Sequence, residues 1–186
     1  MDKFAINNVS KIKSLDNELE FEKASSLFLQ LRVLEKEDKA YSSIRDHLAK
    51  LIEDYEGEKW KDEESISDEQ IQESDLAETL INAETEFYQR RKELIKTKLK
   101  QSGLNQSDLA KILGHRKGYM SELINGLRPF SKEDIIIINR LFKIKLEDLI
   151  PTFIKQEKAK HIKQTLNSIS KSKIKLTKTD FDLQMA

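Results

Sequence analysis

The sequence predicts an all-α chain with a helix-turn-helix unit in its second half, and three observations carry that expectation. Four of its five glycines, Gly103, Gly114, Gly118 and Gly126, fall within 24 positions, and glycines crowded between short apolar-periodic runs mark closely spaced helix ends. Residues of N-cap type, Asn105 and Ser131, open two of those runs. Upstream, two longer stretches repeat apolar residues every three or four positions, the spacing of one helix face.

Taken in order, residues 15 to 37 read as a helix with Leu19, Phe21, Ala24, Leu27, Phe28, Leu31 and Leu34 inward. Residues 39 to 56 read as a second, with Tyr41, Ile44, Leu48, Leu51, Ile52 and Tyr55 on one face. The connector Lys36-Glu37-Asp38-Lys39 is short, so the two form an antiparallel hairpin. Gly57 to Ser67 reads as a charged linker with one isolated aromatic, Trp60. A cap box of Ser67 and Gln70 then opens a linking helix through Leu76, Leu80, Ala83 and Phe87, which runs on into a helix with Tyr88, Leu94, Ile95 and Leu99 inward.

The helix-turn-helix follows. Its first helix starts at Asn105, with Leu104 placed as a staple, carries Leu109, Ala110, Ile112 and Leu113, and stops at Gly114. Its second runs from about Lys117 to Asn125 with Met120, Leu123 and Ile124 inward and Gly126 as the stop. Two helices of about two turns cannot bury their stripes alone, so flanking helices are required. The downstream one is capped by Ser131 with Asp134. Its run Ile135 to Ile138 is β-branched and admits a strand, but the cap and Leu141-Phe142 at helical spacing favour a buried helix. A short helix, Leu146 to Ile150, ends at Pro151. Residues 155 to 186 hold 8 Lys against 3 acids, and read as helical near 155 to 168 and weakly ordered otherwise; KIKLTKTDF has a strand-like alternation. The expected units are therefore an acidic hairpin (1–64), a linking helix (65–87), a four- to five-helix unit containing the helix-turn-helix (88–152) and a Lys-rich tail (153–186).

Composition sets limits. With 38% hydrophobic residues over 186 positions, the core is small. Cysteine is absent, which suits a reducing cytoplasm, and neither an apolar leader region nor a run of ~18 apolar residues appears, so a cytoplasmic protein with no membrane partner is expected. The net charge of zero hides a partition: Met1 to Glu86 holds 11 Lys+Arg against 23 Asp+Glu, a charge of −12, and the remainder carries +12. Such asymmetry suggests a nucleic-acid-binding segment joined to an acidic one, and the basic half coincides with the helix-turn-helix, as phosphate neutralisation requires.

Five spaced blocks, Leu104-Asn105-Gln106, Asp108-Leu109-Ala110, Leu113-Gly114, Ser121-Glu122-Leu123 and Asn125-Gly126, resemble the XRE/Cro-repressor helix-turn-helix domain over about residues 88 to 150. The stretch GYMSELINGLRPFSKEDI is similar to HigA-type antitoxins, whose recognition helix is followed by a basic Arg-Pro-x-Ser, and Leu51-Ile52-Glu53-Asp54-Tyr55-Glu56 is like a phrase that ends the N-terminal helical segment of the longer ones. Asn105 stands where that family usually has Thr or Ser. Gly118 leaves an early recognition position without a side chain.

The second helix of such a unit enters the major groove with its N-terminal residues at base edges. By position, Arg116, Lys117 and Tyr119 are candidates for bases or flanking phosphates, with Lys117 foremost for guanine O6 and N7, and Glu122 could accept from a cytosine amino group. Arg128, past the Asn-Gly stop, is placed for a phosphate. The resemblance adds Gln106, which matches a glutamine that anchors to phosphate or buttresses the reading helix, and Ser121 in the recognition-helix core. Neither the three scattered histidines nor the acids offer a metal or acid/base constellation, so no cofactor and no catalysis are expected. The resemblance implies operator DNA, a homodimer, and a basic HigB/RelE-like mRNA-interferase toxin as partners, with the acidic hairpin suited to cover the toxin. The alternative is a stand-alone XRE regulator with an N-terminal dimerisation or sensing segment.

Overall fold

The computed structural model describes residues 3–36, 38–61, 66–152, 154, 156–169 and 173–174. Within these, seven α-helices follow one another without a strand: α1 Glu18–Leu34, α2 Ser42–Lys59, α3 Asp68–Gln101, α4 Gln106–Ile112, α5 Lys117–Ile124, α6 Lys132–Phe142 and α7 Gln156–Ser168. Short 3₁₀ turns lie at Val9–Lys11, Lys39–Tyr41 and Leu146–Asp148. The alternating stretch KIKLTKTDF falls outside the described residues apart from Lys173 and Ile174.

Side-chain caps fix several helix starts. Asn17 accepts from the Glu20 amide at 3.0 Å, Ser67 from Gln70 at 3.2 Å and Ser131 from Asp134 at 3.1 Å. The first of these starts α1 at Glu18, three residues later than the spacing suggests, so Leu15 is buried ahead of the helix and outside it. The isoleucine run is helical, as its cap implies, and α6 ends at Lys143 with φ 54°, a left-handed turn taken here without a glycine. The stretch expected as a charged linker also differs from expectation. Helix α2 continues through Gly57 to Lys59, and Trp60 packs against the first core instead of standing alone in a linker. Gln70 Nε2 donates to the Lys59 carbonyl at 3.0 Å, which ties the start of α3 to the end of α2.

The first core gathers α1, α2, Leu127 and a strap ahead of α1. The strap, unanticipated from sequence, buries Ile6, Val9, Ile12 and Leu15 at every third position beneath the hairpin, and His47 Nε2 lies 2.9 Å from the Ile12 carbonyl. Each fully buried aliphatic side chain contributes about 1.5 to 3 kcal/mol, so these four make the strap part of the fold. Helix α1 also lies along α3, with Lys23 3.5 Å from Glu84 and Ser26 3.0 Å from Thr85. That contact makes Ala77 and Ile81 the buried face of α3, while Leu76, expected inward, is 42% exposed.

The second core is Ile95, Leu99, Leu109, Ala110, Met120, Leu123, Ile124, Phe130, Ile138, Phe142, Ile144 and Leu149. All its members lie between residues 95 and 149. Helix α3 is unbroken across residue 87: its leading half lies along α1, its last turns enter the second core, and Leu127, from the loop after α5, completes the first.

Candidate nucleic-acid interface

Helix α4 is held at its start by a reciprocal cap: Asn105 Oδ1 accepts from the Ser107 and Asp108 amides at 2.8 and 3.1 Å, and Asp108 Oδ2 accepts from the Asn105 amide at 3.0 Å. The turn Leu113–Arg116 reverses the chain at Gly114, whose φ of 72° disfavours any side chain. His115 in that turn places Nε2 3.0 Å from Asp134 Oδ1. Since Asp134 also caps α6, one buried carboxylate joins the turn to the next helix.

Helix α5 buries Met120, Leu123 and Ile124 completely. At about 100° per residue this turns Gly118 and Glu122 outward, with Ser121 and Lys117 on one flank and Tyr119 on the other. Arg116 is its N-cap residue but makes no side-chain cap bond, so its guanidinium and the Lys117 ammonium are both exposed at the positive end of the helix dipole. That end of α5 is chemically suited to phosphates and acceptor edges of bases. Gln106, half-buried, is the first residue of α4. Tyr119 is 40% exposed, its ring edge-on to His115 at 5.1 Å, with the Arg128 guanidinium 5.4 Å from its centre.

The remaining candidates are engaged within the protein. Arg128 Nε is ion-paired with Glu122, and its Nη1 donates to Asn7 Oδ1 at 2.9 Å. Glu122 would have to leave Arg128 to meet a cytosine, and Arg128 would have to leave Glu122 to meet a phosphate as a full charge. Burial, followed by the nearby Glu122, raises the Tyr41 phenol above its ordinary value, so this pair sits against the hairpin. Ser121 Oγ accepts from Asn125 Nδ2 at 3.3 Å, which turns it toward the helix end. Arg116, Lys117 and Tyr119 are thus gathered around the turn, whereas Glu122 and Arg128 face the N-terminal unit.

Arg91, unremarked in the sequence reading, anchors the reading helix. It is 2% exposed; Nη2 donates to the Leu123 carbonyl at 3.1 Å and Nη1 to that of Leu149 at 3.4 Å, and the guanidinium lies 4.8 and 4.9 Å from the Tyr88 and Phe130 ring centres. Burial lowers its pKa to about 10, so it remains charged at neutral pH. The signal was present: Tyr88, Arg91, Ile95 and Leu99 share one helical stripe.

Among the described residues no helix is long and apolar enough to cross a membrane. No curated protein and no solved structure matches the chain. Residues 95–149 match the family model described as Helix-turn-helix, so the segment from the last turns of α3 to the turn after α6 is an XRE-type helix-turn-helix domain, the kind carried by DNA-binding regulators.

Proposed function

We propose that this DNA-binding regulator is a type II antitoxin: it binds operator DNA as a dimer through the N-terminal end of α5, and its acidic N-terminal unit neutralises a basic HigB/RelE-like mRNA-interferase toxin. The observation that carries this reading is the coincidence of charge with architecture. The −12 half supplies the strap, the hairpin and the leading half of α3, while the +12 half supplies the helix-turn-helix. A toxin that grips RNA is basic, and an acidic surface both steers it and competes with RNA for it. One recognition helix of eight residues reads only a few base pairs, so operator binding calls for two half-sites about one helical turn apart.

The test is co-expression with the toxin encoded beside this chain. Growth should be restored, and stoichiometric addition of the purified chain should stop ribosome-dependent mRNA cleavage. Binding of its own promoter without any effect on cleavage favours a stand-alone regulator. That second reading has its own support, because the N-terminal unit is bonded to the reading helix itself: Gln30 Nε2 donates to the Asn125 carbonyl, the Ile6 amide to that of Leu127 at 3.3 Å, and Arg128 joins Asn7 to Glu122.

A further inference from the structure

We propose that the toxin docks in the groove between α1 and α3, through an amphipathic segment that lays a row of apolar side chains along the groove and sets a lysine or arginine at its Glu22 end. This rests on the antitoxin reading above and gives that reading a surface.

The groove has a volume of about 620 Å³ and is lined by residues within 22–34 on α1 and 78–92 on α3. From residue 22 to residue 34 is about 18 Å at 1.5 Å per residue, or about three turns of an incoming helix. Its floor is apolar, with Leu27, Ile81 and Leu127 all buried. Leu29 and Val33, one turn apart on its rim, are 57% and 64% exposed. A buried apolar floor reached past exposed aliphatic side chains is the form of a helix-in-groove site, whose partner presents anchors three and four residues apart.

Charge selects the occupant. Glu22 and Glu78 stand close enough at one end of the groove to repel each other, and Glu18, one turn earlier on α1, adds to the field on Glu22. Nearby lysines are engaged elsewhere, Lys3 with Asp16 and Glu20 and Lys23 with Glu84. Glu18 is itself buried: Tyr55 donates to its Oε1 at 2.9 Å, and its Oε2 has no hydrogen-bond partner among the described residues. Carboxylates held together in this way repel one another, and a cation brought by a partner offsets that repulsion where it arises.

Other occupants meet the same field with the wrong sign. Duplex DNA would bring phosphates to the acidic end, and the N-terminal half of a second copy would bring a charge of −12. A protein that is basic because it grips RNA supplies the missing charge. The far end of the groove is the loop of residues 126–129 that follows α5, whereas Arg116 and Lys117 stand at the other end of that helix. A segment docked in the groove therefore touches the DNA-binding domain at the end of α5 remote from those two side chains.

The test measures the affinity of the full chain for the toxin encoded beside it, in high salt that screens long-range steering. Val33→Glu and Glu22→Lys should each raise the dissociation constant about tenfold or more. Glu53→Lys makes the same change of charge at an exposed position of α2 outside the groove, and should leave the affinity within about twofold of wild type. Both groove variants should fold, because Val33 is exposed and Glu22→Lys removes a repulsion; the latter should melt no lower than wild type while binding less tightly, a combination that a merely structural role for Glu22 does not give. A wild-type chain that fails to hold the toxin would overturn the antitoxin reading and this docking with it. A wild type that holds the toxin while both groove variants bind as tightly would overturn the groove alone. An equal loss in Glu53→Lys would assign the effect to bulk charge, and a Val33→Glu change that dissociates a dimer of the chain but spares toxin affinity would give the groove to a second copy; either result also overturns the proposal.

Discussion

Lys117 and Arg128 were equal in kind as basic residues flanking a recognition helix, and the structure separates them. Lys117 is exposed at the start of α5, so Lys117→Ala should cost about 1 to 3 kcal/mol on the operator and relax preference at one base position. Arg128→Ala should weaken all sequences alike but reduce the salt slope by well under the one unit of a full phosphate contact, because Glu122 already holds the guanidinium. It should also lower stability by about 1 kcal/mol, because Glu122 and Asn7 lose their common partner. Competition binding across operator variants and salt, beside thermal melts, checks both; equal sequence-blind losses would remove Lys117 from the reading role. Two glycines make a second contrast. Gly126 has φ 77°, and a Cβ there would meet Tyr88 Cγ at 2.9 Å, so Gly126→Ala should cost about 2 kcal/mol or more. Gly118 is helical with open space around it. Gly118→Ala should therefore stabilise by about 0.5 to 1 kcal/mol in denaturant melts, while placing a methyl group on the face turned toward DNA. Both glycines were visible in the sequence as turn or stop signals; that only one of them cannot change was not, because the ring of Tyr88 comes from another helix.

At the scale of elements, legibility followed the caps. Where a cap residue stood beside a regular stripe, as at Asn105 and Ser131, the helix begins there. Where a helix offers two apolar stripes, its partner chooses. Of the expected face, Phe87 is buried while Leu76 is exposed, and the position of α1 brings Ala77 and Ile81 inward instead. The strap escaped notice because its apolar period of three belongs to neither an α-helix nor a strand. The contact of α1 with α3 also carries a pH dependence. The Glu22 carboxyl is raised by burial first and then by Glu78 and Glu18, so between its unfolded and folded values the folded state holds more protons than the unfolded one. Stability then falls as pH rises through that window, and is regained in mild acid. Glu22→Gln should raise the melting temperature at neutral pH and flatten this acid-side dependence. A variant that melts like wild type at both pH 7 and pH 5 would remove Glu22 from the account.

For the whole molecule, the expected boundary between an acidic and a basic unit is a boundary of charge that the polypeptide crosses inside α3. The second core lies wholly between residues 95 and 149, so a fragment of residues 67–186 should keep its helix-turn-helix and bind operator DNA. Its melting temperature should fall, since Ile81 and Leu127 lose their cover. The fragment should no longer restrain the toxin; equal neutralisation by the fragment and the full chain would move that role to the DNA-binding domain or the tail. Association of toxin with the full chain should slow as salt rises.

Helix α3 is 34 residues long and continuous, about 51 Å from end to end. Whatever grips its first turns is therefore set at a definite distance from the operator and also at a definite azimuth around the helix axis. One alanine inserted near residue 87 would rotate the leading turns by about 100°, whereas seven would restore the azimuth to within about 20° at the cost of about 10 Å. The strap and Arg128 pin that angle a second time, so the two ends of the molecule have no free joint between them. A partner bound at one end and a duplex at the other meet in fixed stereochemistry, and whether both can be held at once becomes a question of clearance between two rigid bodies.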